Sequence, residues 1–251
     1  MTNELARVHR FEREIELAGT ETVPSPLGVG ALTPELPRRH DSNYLLLDRA
    51  TSVQEAIDEA DRILGGAGLT HRVILTFDDE LAVRLTPRFQ TLGWLTHRHV
   101  LMVQRREAEK HADLTIVREV DQSALRPGRT QAILAQTWGT PELAQELLDA
   151  KLMVADRAET RFFGVEADGK IVAWTDLYVA QGIGQVEDVA TLPEHRGKGY
   201  ATAVVLRAAE EARRAGADLV FLVADDDDWP KELYARLGFD PIGRIYKFIR
   251  P

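Results

Sequence analysis

The sequence predicts an α/β protein with a mixed sheet, laid out as two tandem lobes of similar order. Three observations carry this reading. Between Arg161 and Thr191 extended segments follow one another through a tight turn, as in an antiparallel meander. From Gln185 the order becomes strand, glycine turn, helix, strand, and a connection of that length implies a parallel pair. A strand, helix, Leu-Gly-aromatic unit also occurs twice. His71 to Asp79 precedes Phe89-Gln-Thr-Leu-Gly-Trp94, and Asp218 to Asp226 precedes Tyr234-Ala-Arg-Leu-Gly-Phe239. The alternative to duplication is a generic packing unit used twice.

Element by element, Arg7 to Ala18 spaces Val8, Phe11, Ile15 and Ala18 as a helix would. Prolines and glycines from Pro24 to Pro37 then read as a loop with at most one short strand. Tyr44 to Leu47 is a strand. Ser52 to Leu64 is a helix opened by a capping box of Ser52 with Glu55 and stopped at Gly65-Gly66. Val73 to Phe77 is a strand, Asp79 to Leu92 a helix weakened by Pro87, and Leu95 to Val103 a closing strand. The polar stretch Gln104 to Ala112 is the expected linker, dividing a lobe over 1–108 from one over 113–251. In the second lobe Leu114 to Glu119 reads as a strand and Thr130 to Trp138 as a helix. A further helix is capped by Thr140, with Pro141 at its first position. Strands at Arg161 to Glu166 and Lys170 to Val179 meet at Asp168-Gly169, and a third runs from Gln185 to Thr191. Helix Tyr200 to Arg214 ends at Gly216, and strand Leu219 to Val223 follows.

Composition narrows the function. The chain has 251 residues, 44% of them hydrophobic, and a formal net charge of -9. That charge argues against nucleic acid, because phosphate binding needs a positive field. The absence of cysteine excludes disulfides, thiolate metal sites and cysteine nucleophiles. The charged N-terminal stretch has no apolar core of a signal peptide, and no run is long enough to span a bilayer. A cytoplasmic protein without a membrane partner is expected. His97 and His99 share a strand face without a third ligand nearby, so no metal is expected.

The informative segment runs from Val186 to Ala201. A strand enters a turn bearing Gly197 and Gly199, and a helix follows. The first N–H groups of that helix have no internal partners, and with the helix dipole they form an anion site. Arg196 and Lys198 add positive charge, and a diphosphate is the natural occupant. A dinucleotide fingerprint would need a third glycine, and a P-loop would need Gly-Lys-Ser/Thr. Neither is present.

Arg196-Gly-Lys-Gly-Tyr-Ala201 resembles the R-x-x-G-x-G/A signature of the GNAT superfamily of acyl-CoA N-acyltransferases. The preceding strand and Leu233-Tyr-Ala-Arg-Leu-Gly-Phe239 match that family in order and spacing, so the resemblance covers about Leu114 to the C-terminus. It implies a GNAT-like fold and acetyl-CoA as co-substrate. Arg196, Gly197, Lys198, Gly199, Tyr200 and Ala201 would hold the diphosphate. Val189, Ala190 and Thr191 would pair with the pantetheine where the Gln185 and Leu219 strands splay apart. Tyr234 would sit near the thioester sulfur as the acid that protonates the leaving thiolate. For the base, Glu187 is the first candidate and Asp188 the second, because alternation sends them to opposite strand faces; water chains are the alternative. Asp227 stands where the family often has a cofactor-contacting asparagine, and its charge suits CoA phosphates less well. The run Asp225 to Asp228 is read as a helix cap and Pro230 as an altered helix start. No nucleophile elbow is present, so direct attack by the amine is expected.

The first lobe has no glycine turn between its strand at Tyr44 and its helix at Ser52, and Phe89 stands in the place of Tyr234. It reads as a degenerate copy that walls the acceptor site. The acceptor, a small-molecule or peptide amine, would meet loops near Trp138 and Trp174 plus residues of the first lobe. A non-catalytic CoA-binding sensor and a general nucleotide-phosphate module remain as other readings. The intact Tyr234 favours the enzyme over the sensor, and CoA against ATP and NAD separates the module.

Overall fold

In the structure, a computed structural model that describes residues 3–251, the apolar strands of both halves join one continuous sheet. The first half contributes helix α1 (Asn3–Glu16), strands β1 (Glu21–Ser25), β2 (Gly28–Leu32) and β3 (Tyr44–Leu47), helix α2 (Val53–Ala60), strand β4 (Arg72–Thr76), helix α3 (Asp79–Thr91) and strand β5 (Leu95–Gln104). The second half contributes β6 (Val117–Val120), α4 (Gln122–Leu134), α5 (Pro141–Ala150), β7 (Glu159–Ala167), β8 (Lys170–Ala180), β9 (Ile183–Thr191), α6 (Tyr200–Arg214), β10 (Leu219–Asp225), α7 (Pro230–Arg236) and β11 (Phe239–Arg250). Strand order is β1-β2-β3-β4-β11-β5-β10-β9-β8-β7-β6. β3 and β4 are parallel, as are β9 and β10, each pair bridged by a helix.

The two closing strands trade places. β5 lies between β10 and β11, and β11 lies between β5 and β4. Neither half completes its sheet with its own last strand. Alternation along the central strands divides the core accordingly. Val220, Leu222, Val100 and Met102 point to the α6 and α7 side, and Leu45, Leu47 and Ile74 to α2 and α3. Leu219, Phe221, Leu101, Val103, Val73 and Leu75 point to the other face, where α1 lies. Phe11 of α1 meets Phe221 edge-on at 5.5 Å. Arg7 pairs with Asp218 at 2.6 Å, Gln181 donates to Glu14 at 2.7 Å, and the Tyr44 hydroxyl donates to the Glu16 carbonyl at 2.6 Å. The N-terminal helix therefore straps the second half to the first.

Several local expectations change. The proline-rich stretch forms the hairpin β1–β2, because Pro24 sits on the outermost strand of the sheet, where a missing donor can be tolerated. Leu114 to Ile116 is a 3-10 turn, and the strand starts only at Val117. The helix read at Thr130 to Trp138 starts at Gln122 instead and ends at Leu134. Pro127 sits inside it, and Gly128 lets it approach the sheet: a Cβ there would meet the Trp174 ring at 3.0 Å and the Ile171 carbonyl at 3.1 Å. The linker is stitched down. Arg105 N–H donates to the Gly238 carbonyl at 2.9 Å and Glu109 N–H to the Arg236 carbonyl at 2.9 Å.

The exchange makes a direct prediction. Residues 113–251 expressed alone should not give a native-like monomer, because β10 loses β5, β11 loses both neighbours, and α1 is absent. Circular dichroism and size-exclusion chromatography would test this. A stable folded monomer would show that the exchange is dispensable.

Candidate active site

The site grows from a single irregularity in β9. Facing β8, Ala190 pairs with Trp174 and Glu187 with Asp176, so Asp188 and Val189 oppose Thr175 alone. This is a β-bulge. Asp188 takes φ +52, outside the region most L-residues occupy. The Thr175 hydroxyl donates to the Glu187 carbonyl at 2.8 Å and fastens one side of the bulge. Charge fastens the other. Arg129 of α4 forms an ion pair with Asp188, its Nε 3.0 Å from the carboxylate, and also pairs with Asp176. Lys151 Nζ lies 3.1 Å from Asp176 and 3.2 Å from Asp188. Asp176 is fully buried and Arg129 nearly so. The carboxylates hold Lys151 charged despite burial.

On its other edge β9 leaves its neighbour. β10 pairs with β9 only from Leu219↔Ile183 to Leu222↔Val186, then continues beside β5 as far as Asp225↔His99. From Glu187 to Thr191, β9 has no strand partner on that side among the described residues. Glu187 lines a cavity on the α1 face, and on the helical face Tyr234 lies in the core cluster against which Val189 packs.

Burial pushes the Glu187 carboxyl up to about 7; Lys151 opposes this, while Asp188 and Asp176 add to it. Tyr234 belongs to the core under α7, with Phe239 edge-on at 6.4 Å. Burial, with a smaller push from the Glu187 charge, keeps its phenol protonated well above the ordinary range. A carboxyl that titrates near neutrality and a phenol held protonated thus lie close enough for the charge of one to act on the other.

Val189, Ala190 and Thr191 are half-buried along the free edge. Beyond them, Arg196, Gly197, Lys198 and Gly199 are exposed, and Tyr200 and Ala201 are half-buried at the start of α6. Gly197 (φ +75) and Gly199 (φ +80) are left-handed, and a Cβ on either would meet nothing within 4 Å. Backbone conformation and open space require glycine here, not packing. Gly199 is the N-cap of α6 and brings no side chain to its free N–H groups. The Arg196 guanidinium donates to the Thr191 carbonyl at 3.2 Å, tying the turn to the end of β9.

The matching position in the first half is closed. The Ser52 hydroxyl accepts from Glu55 N–H at 3.2 Å, and the Glu55 carboxylate accepts from Thr51 N–H at 2.7 Å. The N-terminus of α2 carries its own anion. Phe89 is buried and stacks on Phe248 at 4.2 Å.

The acidic run behaves differently from a cap. Asp227 pairs with Arg98 of β5 and its side chain remains 62% exposed, so its charge is offset by the first half. Asp226 pairs with Arg244 at 2.8 Å and Lys231 at 3.3 Å, and no side chain caps α7, which begins at Pro230. Trp138 is exposed, and Trp174 is buried with Leu125, Val172 and Leu192; neither lines the central cavity. That cavity, of about 330 Å³, lies on the α1 face beside Glu187. The first half supplies Glu12, Glu16, Arg39, Asp41 and His99; the second supplies Lys151, Gln185 and Lys247. Sequence reasoning missed Asp176 and Arg129. A lone carboxylate inside the apolar run Ala173-Trp-Thr-Asp-Leu177 was the available signal. Among the described residues no group of side chains is arranged to hold a metal ion.

Residues 129–239 match the acetyltransferase (GNAT) family. An uncharacterized N-acetyltransferase of Bacillus subtilis (strain 168), YobR, is 33% identical over 90 residues, which span 36% of this chain and 36% of that relative. A GCN5-related N-acetyltransferase from Kribbella flavida superposes with a TM-score of 0.64 at 18% identity, over 100% of this chain and 96% of that one. A conserved protein of unknown function from Staphylococcus epidermidis ATCC 12228 gives 0.69 at 15% identity, over 93% and 94%. These two likenesses establish the fold.

The buried ion cluster has a measurable cost when broken. Asp176→Ala leaves Arg129 and Lys151 facing each other with one carboxylate fewer, and should destabilise the protein by about 3–5 kcal/mol in urea unfolding. A loss below about 1 kcal/mol would remove the cluster as the support of the bulge.

Proposed function

Starting from a chain that belongs to the GNAT superfamily, we propose that it transfers the acetyl group of acetyl-CoA to the amine of a small molecule or peptide, by direct attack in a ternary complex. The observation that carries this reading is the gap beyond Val186, with Glu187 and Tyr234 on its two sides and the open α6 N-terminus at its end. The free edge at Val189, Ala190 and Thr191 pairs with the pantetheine amides. The free N–H groups at Gly197 to Ala201 receive the diphosphate, with Arg196 and Lys198 beside it. Asp227, already paired with Arg98, stays at the rim.

The acceptor enters from the cavity as an ammonium ion. Glu187, near neutrality, takes one proton and leaves the nitrogen lone pair free. The nitrogen attacks the thioester carbonyl, and an N–H near Val189 stabilises the oxyanion. The tetrahedral intermediate passes its second nitrogen proton to water and collapses by breaking the carbon–sulfur bond, while Tyr234 gives its proton to the departing thiolate and is reprotonated from solvent. Asp188 is committed to Arg129 and Lys151 and positions the bulge, which leaves the base role to Glu187. The first half contributes walls to the acceptor cavity and no second cofactor site, because α2 closes its own N-terminus. A protein that only sensed CoA would have no need of the acid and base facing each other here.

Thiol release from acetyl-CoA with a panel of amines tests this reading. Activity should rise with pH through about 7 as Glu187 loses its proton, and fall away below it. Glu187→Gln should abolish that inflection. Tyr234→Phe should lower kcat by about 10² or more while leaving CoA affinity nearly intact. No thiol release with any amine would sink the transferase reading.

Calorimetry should give one CoA per chain. Gly199→Val forces a β-branched residue to φ +80 and fills the space in front of α6, so it should abolish CoA binding. Two sites per chain, or unchanged affinity in Gly199→Val, would place the cofactor elsewhere.

A further inference from the structure

We propose that the acceptor is a small dication, whose second ammonium group sits between Glu12 of α1 and Gln185 of β9 while its reacting amine faces Glu187. This rests on the acetyl-transfer reading above and names the substrate class of that site.

The cavity holds more acidic side chains than its cations pair with. Glu12, Glu16, Asp41 and Glu187 line it, together with Arg39, Lys151 and Lys247. Lys247 pairs with Asp41 at 3.0 Å, and Lys151 is spent on Asp176 and Asp188. Arg39 donates to the Ser42 hydroxyl at 2.5 Å. Neither Glu12 nor Glu187 makes an ion pair with a cation of the protein among the described residues. Burial with Lys247 nearby lowers His99 to about 4, so it adds no positive charge at neutral pH.

Gln185 is the second, independent observation. Its side-chain nitrogen donates to Glu12 at 2.6 Å and to Glu187 at 3.3 Å. Among the described residues its oxygen has no partner, although the residue is only 3% exposed and lines the cavity. An orphaned acceptor oxygen in such a place is costly unless a ligand supplies the donor. The row Glu12, Gln185, Glu187 therefore offers acceptors across α1 and β9. An alkylammonium between Glu12 and Gln185 would donate to the carboxylate and to the amide oxygen. The other amine of the same molecule would then reach Glu187.

The buried carboxyls agree with an unmet demand for positive charge. Burial, then the charges of Glu16 and Glu187, push Glu12 well above the carboxylate range. Burial raises Glu16 as well, with Lys247 and Arg39 opposing it and Asp41 adding to it. The cavity volume is at the small end for ligand sites, which suits a short diamine and not a long peptide.

The test compares acceptors of equal chain length on the full protein: α,ω-diaminoalkanes of two to six carbons, n-alkylamines and ω-aminoalkanoates, with thiol release as readout. A diamine should exceed the matching monoamine in kcat/KM by about tenfold or more, as a charge-assisted hydrogen bond requires. Glu12→Gln should reduce that preference to near parity, with calorimetric CoA binding as the check that the variant is folded. Equal rates for diamine and monoamine in the wild type, or an aminoalkanoate as the best acceptor, would overturn the second cation site alone. If no amine releases thiol, a melting shift by diamines that disappears in Glu12→Gln would keep the cation site and sink the transferase reading. No thiol release and no diamine shift would end both.

Discussion

The parting of β9 from β10 after Val186 is the feature on which the rest of the molecule depends. Two neighbouring parallel strands separate only if something holds one of them off line. Here it is the bulge at Asp188, kept at a left-handed φ by a buried cluster of Arg129, Lys151 and Asp176. Holding a non-glycine residue there costs about 1–3 kcal/mol, and burying ions costs more. Such a cluster is poor value as a source of stability. Its return is geometry: a free strand edge, a carboxyl titrating near neutrality, and a phenol on the opposite side.

The two halves use one framework for different ends. Each has a parallel strand pair bridged by a helix, followed by a second helix and a closing strand. At the start of α6 glycines leave the N–H groups open, whereas at α2 Ser52 and Glu55 close them. Tyr234 lies in the core cluster against which Val189 of the free edge packs, whereas Phe89 stacks on Phe248. The exchange of β5 and β11 makes the halves interdependent. It also brings side chains of both halves together, so that His99, Asp41 and residues of α1 line one cavity with Glu187 and Gln185.

The parts legible in the sequence were those set by local backbone demands. The turn at Gly197 and Gly199, the helix after it and the meander before it follow from residue type and spacing alone, and the structure has them where expected. Which strands become neighbours did not, because the apolar runs of β5 and β11 fit equally well beside either half. Pro127 and Gly128 concealed a helix, since a close approach to Trp174 requires the small residue that usually marks a helix end. The ion cluster joins residues 47 positions apart in sequence, and nothing at Arg129 announces Asp176. Glu12 lies on the buried face of α1 with Val8 and Phe11, but its partner Gln185 is 173 positions away in sequence.

The most direct measurement is a crystal structure of the protein grown with CoA. The account predicts the diphosphate against the main-chain N–H groups of Gly197 to Ala201, and the pantetheine laid along Val189 to Thr191 with its sulfur between Glu187 and Tyr234. A cofactor seated in another cleft, with the α6 N-terminus empty, would contradict it.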